Sequence, residues 1–318
     1  MKARDETLGM WLGLLGVAVF AVTLPMTRLA TGTTDAPQLS PWFLTLGRAA
    51  LAGLLSVTFL LVTRSPLPQR HQWKPLGMAV AGNAIGFPLL LAYALRVVDA
   101  SHAAVVTALL PLVTAAVAAW VLHQRAAIGF WLCAAAGSTL VIVFSLLRAG
   151  GAGGATTGVQ WADGLLVAAV FAASLGYVYG AQVTPSLGAE RVICWVCAMA
   201  LPVTLPGAIV LWPDHPVAPS AWAGFTYVGV FSMWAGFFAW YRGLALGGAL
   251  RVSQTQLLQP FLSIMAAAAL LGEPIEVVTL GFAAAVMATV LLGKRLTGAP
   301  APQGSAAVFA VDRDGSKP

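Results

Sequence analysis

Apolar runs of about 20 residues recur along the whole chain and are separated by short polar segments. An α-helix of that length crosses a hydrocarbon core of about 30 Å. Strands of a membrane barrel would be about half as long and would alternate in polarity, which these runs do not. The pattern therefore predicts an all-α integral membrane protein. Its ten transmembrane helices are predicted at residues 8–29, 41–63, 75–96, 102–122, 126–147, 162–182, 190–212, 220–241, 249–271 and 275–293.

A glycine-rich segment divides the predicted helices into two sets of five. It predicts a flexible linker at 149–161, between a first unit at 8–148 and a second unit at 162–295. Residues 296–318 combine proline, glycine, alanine and mixed charges without periodicity, which predicts a disordered cytoplasmic tail. The first apolar run has no convincing cleavage site, so we expect a transmembrane helix there instead of a signal peptide.

The composition agrees with a lipid solvent, since 59% of the residues are apolar and only 9% are charged. The net charge of +6 does not indicate a nucleic-acid partner, because the cations are scattered through short loops. We expect the lipid bilayer and a small-molecule substrate as partners, with a monomer and a homodimer both open. Cys133, Cys194 and Cys197 all lie in predicted helices, so no disulfide framework is expected.

The distribution of positive charges predicts the orientation, because cytoplasmic loops carry an excess of Lys and Arg. With a cytoplasmic N-terminus, thirteen of the 17 Lys and Arg residues lie on the cytoplasmic side. Only Arg28, Arg96 and Arg148 lie outside, and Arg48 lies within the second predicted helix. Both termini are therefore predicted to be cytoplasmic, in a multi-pass protein of a bacterial inner or plasma membrane.

The two sets of helices match each other at a nearly constant offset. Gly13–Leu15 in the first helix matches Gly164–Leu166 in the sixth, 151 residues later. Pro111 in the fourth helix matches Pro260 in the ninth, 149 residues later. Because five is odd, the second set enters the membrane from the opposite side, which predicts inverted repeats. By analogy with transporters of this plan, we expect a substrate site near the midplane and alternating access.

These segments together resemble the EamA-type branch of the drug/metabolite transporter (DMT) superfamily, with two tandem EamA domains. The resemblance rests on Gly16–Pro25, Leu46–Arg48, Leu109–Pro111 with its partner Leu258–Pro260, and the turn Leu270–Glu273. Gln124 departs from it, since the family often has a glutamate in that turn. Members of the family are mostly exporters of amino acids, other metabolites or drugs, so the resemblance implies an exporter. No cofactor is expected.

The paired prolines predict a polar cavity. Proline inside a helix leaves the carbonyl four residues earlier without its donor, so Pro111 frees the carbonyl of Thr107 and Pro260 that of Gln256. Lipid cannot satisfy these carbonyls, so they should face protein or a water-filled cavity. Hydrogen bonding between helices is the alternative interpretation. The same polar stripes contain Thr114, Ser253, Gln259 and Ser263.

Arg48 lies about seven residues into the second predicted helix. A charge at that depth costs at least about 2.5 kcal/mol on insertion scales. Three readings stay open. The side chain could snorkel to the outer boundary, bind a carboxylate of the substrate, or bind a freed backbone carbonyl.

Four further side chains are weaker cavity candidates. Trp234 lies away from the predicted interfaces, where its ring could stack on a substrate or fill a gap between helices. The four are Asn83, Ser174, Tyr177 and Trp234.

Acidic residues are missing from the middle of the predicted helices. Asp163 and Glu190 are at helix starts, and Glu273 is explained by capping of the last helix. We therefore expect no carboxylate proton relay. The four histidines are dispersed over separate loops, so no metal site is expected.

No nucleophile with a base, carboxylate pair or metal set is evident at membrane depth, so no enzyme is predicted. The alternative to a transporter is a non-transporting membrane subunit or sensor.

Overall fold

The computed structural model describes residues 2–121, 128–151, 161–247 and 252–296. Helices make up most of these residues, and this part of the chain contains no β-strand, only an isolated bridge between Gly32 and Pro37. The all-α prediction is confirmed. The predicted tail after Leu296 and most of the predicted linker, 152–160, lie outside the described residues.

The α-helices are numbered in chain order over the described residues. The first eight are α1 (Lys2–Ala21), α2 (Thr23–Thr31), α3 (Pro41–Val62), α4 (Trp73–Ala79), α5 (Phe87–Ala94), α6 (Ala100–Thr107), α7 (Leu110–Val121) and α8 (Ile128–Gly151). The others are α9 (Trp161–Leu187), α10 (Ala189–Val210), α11 (Pro219–Thr226), α12 (Gly236–Gly247), α13 (Gln259–Leu271) and α14 (Val277–Leu296). Two π-helical segments occupy Val80–Gly86 and Tyr227–Ala235, and two 3-10 segments occupy Arg70–Gln72 and Ser253–Leu258.

Six helical stretches in the described residues are long and apolar enough to cross a membrane. They are Glu6–Thr31, Pro41–Val62, Arg70–Ala94, Ala100–Val121, Trp161–Leu187 and Glu190–Val210. Shorter apolar helices, Trp131–Phe144, Thr255–Leu271 and Val277–Leu292, coincide with the predicted fifth, ninth and tenth helices. The predicted eighth helix lies within one helical stretch from Pro219 to Gly247. The protein is therefore a multi-pass α-helical membrane protein.

Several of these stretches are interrupted near their middle, mostly beside a proline. The cause is that proline removes a backbone donor and clashes with the preceding turn. The first stretch breaks at Val22, and the fourth breaks at Ala108 and Leu109. The predicted third and eighth helices pass through π-helix at Val80–Gly86 and Tyr227–Ala235, and the predicted ninth helix contains the 3-10 segment Ser253–Leu258. The prolines beside the interruptions are Pro25, Pro88, Pro111 and Pro260.

Each half of the chain packs its helices against the other half. α3 lies along α10, α1 along α12, and α8 along α14. α9 contacts α4, α5 and α7, while α1 contacts α13. Small residues allow the close approaches, as is common between membrane helices. A Cβ atom on Gly243 would lie 2.6 Å from the backbone nitrogen of Gly13, and one on Gly53 would lie 3.0 Å from the Cys197 carbonyl oxygen.

Candidate functional site

A cavity lies where the interrupted stretches of the two halves meet. About 90 Å³ of it is open to water-sized molecules. Its polar lining consists of Thr23, Arg48, Asn83, Thr107, Tyr177, Ser232, Gln256, Gln259 and Ser263. Its apolar lining consists of Phe20, Leu24, Phe87, Ala108, Leu110, Pro111, Val170, Ile193, Met233, Phe237, Pro260 and Met287. Both halves therefore contribute polar and apolar groups to one site.

Arg48 is the charged side chain in this lining, and it is only 4% exposed. Its Nη2 atom donates to the hydroxyl oxygen of Ser232 over 3.4 Å. The Ser232 hydroxyl is itself 2.8 Å from the hydroxyl of Thr23. The Nε and Nη1 atoms of Arg48 have no hydrogen-bond partner among the described residues. The guanidinium group is thus held on one side and unpaired on the other, and it does not snorkel to the membrane surface.

The local structure explains how Arg48 comes to face the cavity. α3 starts with Ser40 as N-cap, whose hydroxyl accepts from the Phe43 backbone N–H at 3.0 Å, followed by Pro41. The π-helical segment Tyr227–Ala235 crosses α3 at Gly229, where a Cβ atom would lie 3.5 Å from the Arg48 Cα. A Cβ atom there would also lie 2.9 Å from the Leu51 Cδ2 atom, so glycine avoids a close contact at this crossing. π-helical turns inside α-helices are frequently found at functional sites.

Asn83 reaches the cavity from the other π-helical segment, Val80–Gly86. Its side chain lies against Gly176 of α9, where a Cβ atom would meet the Asn83 amide. Tyr177, the next residue of α9, lines the same cavity. Gln256 and Gln259 come from the 3-10 segment and the start of α13. Three amide side chains and a phenol thus share the cavity with the arginine.

Some of the predicted candidates lie elsewhere. Ser174 is fully buried and accepts a hydrogen bond from the Thr114 hydroxyl at 3.1 Å, between α7 and α9. The Trp234 ring packs against Phe238 with 4.8 Å between centroids, and it is not among the lining residues. The side chain of Ser253 lies outside the described residues. The predicted residues in the lining are Arg48, Asn83, Thr107, Pro111, Tyr177, Gln256, Gln259 and Pro260.

The predicted polar stripes serve partly as contacts between helices. The Ser263 hydroxyl donates to the backbone carbonyl oxygen of Ala21 at 2.9 Å. That carbonyl lies four residues before Pro25, so the contact supplies the donor that proline removes. The Thr107 hydroxyl bonds back to the Ala103 carbonyl of its own helix at 2.8 Å. Hydrogen bonding between helices therefore accounts for some of the side chains that were read as cavity groups.

Several lining residues were not predicted, although one carries a signal in the sequence. Ser232 follows Asn83 by 149 residues, which is the repeat offset of the fourth and ninth predicted helices. The repeat thus places Ser232 where Asn83 stands in the first half. Phe20, Phe87, Phe237, Met233 and Met287 carry no such signal, because apolar residues are abundant throughout the chain.

A second polar cluster lies at one end of the bundle, where α2 ends and α6 begins. The Arg28 Nη2 atom is 3.1 Å from an Asp99 carboxylate oxygen, and its Nε atom is 3.8 Å from Glu273. Arg28 also donates to the Leu95 and Val98 carbonyl oxygens. We name this set, Arg28, Asp99 and Glu273 with the first turn of α6, the ionic cluster. Arg28 is therefore compensated, in contrast to Arg48.

The position of the Glu273 carboxylate differs from the one expected from the sequence. It was expected to cap the last helix, but it accepts from the backbone N–H groups of Ala100 and Ser101 at 2.8 and 2.9 Å. It therefore caps α6, a helix more than 170 residues earlier in the chain. A carboxylate at a helix N-terminus satisfies free donors and stabilises the positive end of the helix dipole. Because Arg28 and α6 belong to the first half, Glu273 joins the two halves at this end.

Close to this end, His102 and Asp163 form a buried pair. The His102 Nε2 atom is 2.6 Å from the Asp163 Oδ1 atom, and both side chains are less than a tenth exposed. The histidines were expected to be dispersed over loops, and this one lies in α6 beside α9 instead. Within the described residues, no group of three or more possible metal ligands occurs.

Comparison with known proteins decides the family. The sequence profile of the EamA-like transporter family matches residues 7–146 and again residues 160–293. The chain belongs to the EamA-like transporter family. A Bacillus subtilis (strain 168) protein named as the uncharacterized transporter YdeK is 39% identical over 274 residues, which cover 85% of this chain and 92% of that protein. As its sequence predicted, the chain is an integral membrane protein and an EamA-like transporter of the DMT superfamily.

A solved crystal structure shares the fold. It covers 92% of this chain and 98% of its own chain, with a TM-score of 0.59 and 18% sequence identity.

Proposed function

We propose that this EamA-like transporter moves a small organic solute across the cell membrane by alternating access, in the direction of export. The observation that carries the proposal is the cavity built by both halves at their interrupted helices, whose described lining residues are uncharged apart from one arginine. The outward direction is supported by the resemblance to exporters of amino acids, other metabolites and drugs. Eight residues predicted from the sequence are proposed to contact the solute, namely Arg48, Asn83, Thr107, Pro111, Tyr177, Gln256, Gln259 and Pro260.

Mirrored contacts support ten membrane helices arranged as two inverted repeats. Thr114 and Ser263 are 149 residues apart, and each donates to the first helix of the opposite repeat, Thr114 to Ser174 and Ser263 to Ala21. The two π-helical segments are separated by nearly the same interval. The packing of α1 on α12 likewise mirrors the packing of α9 on α4 and α5. Contacts of this kind follow from a twofold axis between the halves.

The two ends of the bundle differ as alternating access requires. The ionic cluster joins the halves at the end where α6 and α9 begin. The cavity extends in the other direction, to Ile193 near the start of α10, which follows the far end of α9. A transporter with one end joined and the cavity reaching toward the other has the layout of one of the two access states.

The repeat lacks a charged counterpart of the ionic cluster at the opposite end. The positions equivalent to Arg28, Asp99 and Glu273 are Tyr179, Gly248 and Gln124, of which the last two lie outside the described residues. The positive-inside bias supports cytoplasmic termini, so the ionic cluster is proposed to face outward. The cavity would then receive its solute from the cytoplasm.

Counterflow in liposomes tests the proposal. The purified full chain is reconstituted with a preloaded metabolite panel, and uptake of the labelled solute against its gradient is measured. Solute-specific counterflow that protein-free liposomes lack is expected. Binding of solutes without counterflow of any of them would instead favour a non-transporting sensor or subunit. Reporter tags at both termini test the topology, and tags on opposite faces would contradict inverted five-helix halves.

A further inference from the structure

The guanidinium group of Arg48 has no compensating charge among the residues that the structure describes. Among the described residues, no carboxylate lies within ion-pair distance of it, and the cavity lining contains no Asp or Glu. The ionisable side chains near it are the phenol of Tyr177 and the thiol of Cys197. Burying an unpaired charge is costly in protein and in lipid alike. Because no described acidic residue offsets this cost, we expect the partner of the charge to come from outside the protein.

The unpaired atoms of Arg48 have the geometry for an oxyanion. Nε and Nη1 are both without a partner, whereas Nη2 is engaged by Ser232. A guanidinium group gives a carboxylate two parallel hydrogen bonds from Nη2 together with either Nε or Nη1, and Nη2 has a second hydrogen besides the one donated to Ser232. The Ser232 hydroxyl contacts both Nη2 and the Thr23 hydroxyl, so the guanidinium group is positioned before a ligand arrives.

The rest of the lining indicates what the anion is attached to. The Phe20 and Phe237 rings meet edge to face with centroids 5.0 Å apart, and both line the cavity. Phe87, Met233 and Met287 add further apolar surface. The described lining residues include no acidic side chain, so they offer a free amine no counter-charge. A single buried cation suits one negative charge better than a dianion such as a phosphate monoester.

We propose that Arg48 is the anion-binding residue of the cavity and that the solute is a small monocarboxylate with an apolar body. This assignment rests on the proposed transport function for its physiological meaning. Binding of a carboxylate at Arg48 can be tested without measuring transport. Asn83, Gln256 and Gln259 would then contact polar groups on the remainder of the solute.

Thermal unfolding with matched head groups is the direct test. The full chain in detergent is heated with phenylacetate, phenylacetamide or 2-phenylethylamine, and with hexanoate, hexanamide or hexylamine. A ligand that binds only the folded state raises the unfolding temperature. We expect both carboxylates to do so, and their amides and amines not to. Equal stabilisation by the amides or the amines, or no stabilisation by either carboxylate, would overturn the assignment.

Variants assign the effect to Arg48. Arg48→Gln is expected to abolish the carboxylate effect, and Arg70→Gln, a matched change at an exposed arginine, is expected to preserve it. If Arg48→Gln does not fold, Arg48→Lys keeps the charge and loses the planar fork. Its carboxylate affinity should fall roughly tenfold while its preference for carboxylate over amide remains. Unchanged carboxylate binding in Arg48→Gln, or in Arg48→Lys where that is the variant that folds, would contradict the role.

Counterflow of labelled phenylacetate at pH 8, where little free acid leaks through lipid, separates the two proposals. Arg48-dependent binding without counterflow would leave the binding site standing and refute transport of that anion class. Counterflow of neutral or cationic solutes that is unaffected by Arg48→Gln would support transport and refute the site.

Discussion

The two arginines Arg28 and Arg48 lie in different surroundings within the same bundle. Arg28 pairs with Asp99 and Glu273 and donates to two backbone carbonyls. Arg48 is more deeply buried, yet Ser232 is its only hydrogen-bond partner among the described residues. The ionic cluster therefore has its charges balanced by the chain itself. The cavity has a charge without an acidic partner among the described residues, which is expected of a ligand site and not of a structural one.

The difference has a consequence for stability. Removing one partner of a buried, compensated pair leaves the other uncompensated and is destabilising. Removing an unpaired buried charge takes away its desolvation cost and should be neutral or stabilising. Substitutions in the two regions should thus change the unfolding temperature in different directions.

Arg48→Met gives the largest expected effect, and the effect is on binding. Loss of the charged pair with a carboxylate should weaken its binding roughly 100-fold, equivalent to about 2.7 kcal/mol. The unfolding temperature of the ligand-free protein should stay the same or rise, because an unpaired buried charge has gone. Ligand titration and thermal unfolding are measured on the same preparation. A clear drop in ligand-free stability would show that Arg48 has a structural role.

Asp163→Asn tests the buried His102–Asp163 pair, which lies close to the ionic cluster. The His102 ring would lose its carboxylate partner, and we expect destabilisation of about 2 kcal/mol. Thermal unfolding measures the change. Ser220→Ala on the exposed surface serves as a control that should unfold like the wild type. An unchanged unfolding temperature in Asp163→Asn would show that this pair does not stabilise the fold, in contrast to what is expected of the contacts of Arg28.

Glu273→Gln should loosen the ionic cluster by about 1 kcal/mol, because the amide keeps some hydrogen bonding to α6 but loses the charge. In a background lacking the three cysteines, Thr23→Cys reports access to the cavity. Labelling of the introduced cysteine by an impermeant maleimide added outside should be several-fold faster with Glu273→Gln than without it. Glu190→Gln, near the opposite end of the bundle, should not accelerate it. Equal labelling rates in wild type and Glu273→Gln would argue against the cluster as a closure.

Ser263→Ala and Thr114→Val should have the smallest effects. Each removes one hydrogen bond between membrane helices, which averages about 0.6 kcal/mol. Because the two contacts occupy equivalent repeat positions, their unfolding temperatures should fall by similar amounts. A large difference between the two variants would weaken the case for a twofold relation between the halves.

The candidate site was predictable where local chemistry implied it. Pro111 and Pro260 mark backbone carbonyls that lipid cannot satisfy, and the structure places the polar residues beside them in the cavity lining. The depth of Arg48 marked it for the same reason. Ser174 shares the polarity of the lining residues, yet it lies between α7 and α9, because side-chain type alone does not say which face of a helix meets which neighbour.

The sequence by itself determined the helical membrane fold and its internal repeat. Lipid offers no hydrogen bonds, so runs of apolar residues this long have to satisfy their backbone as helices. Tertiary structure alone decided that Glu273 caps α6, that His102 meets Asp163, and that Arg48 has no acidic neighbour in the part of the chain that the structure describes. Those outcomes depend on which helices lie side by side and how far each is rotated about its axis. Neighbours of that kind come from parts of the chain that no local pattern connects.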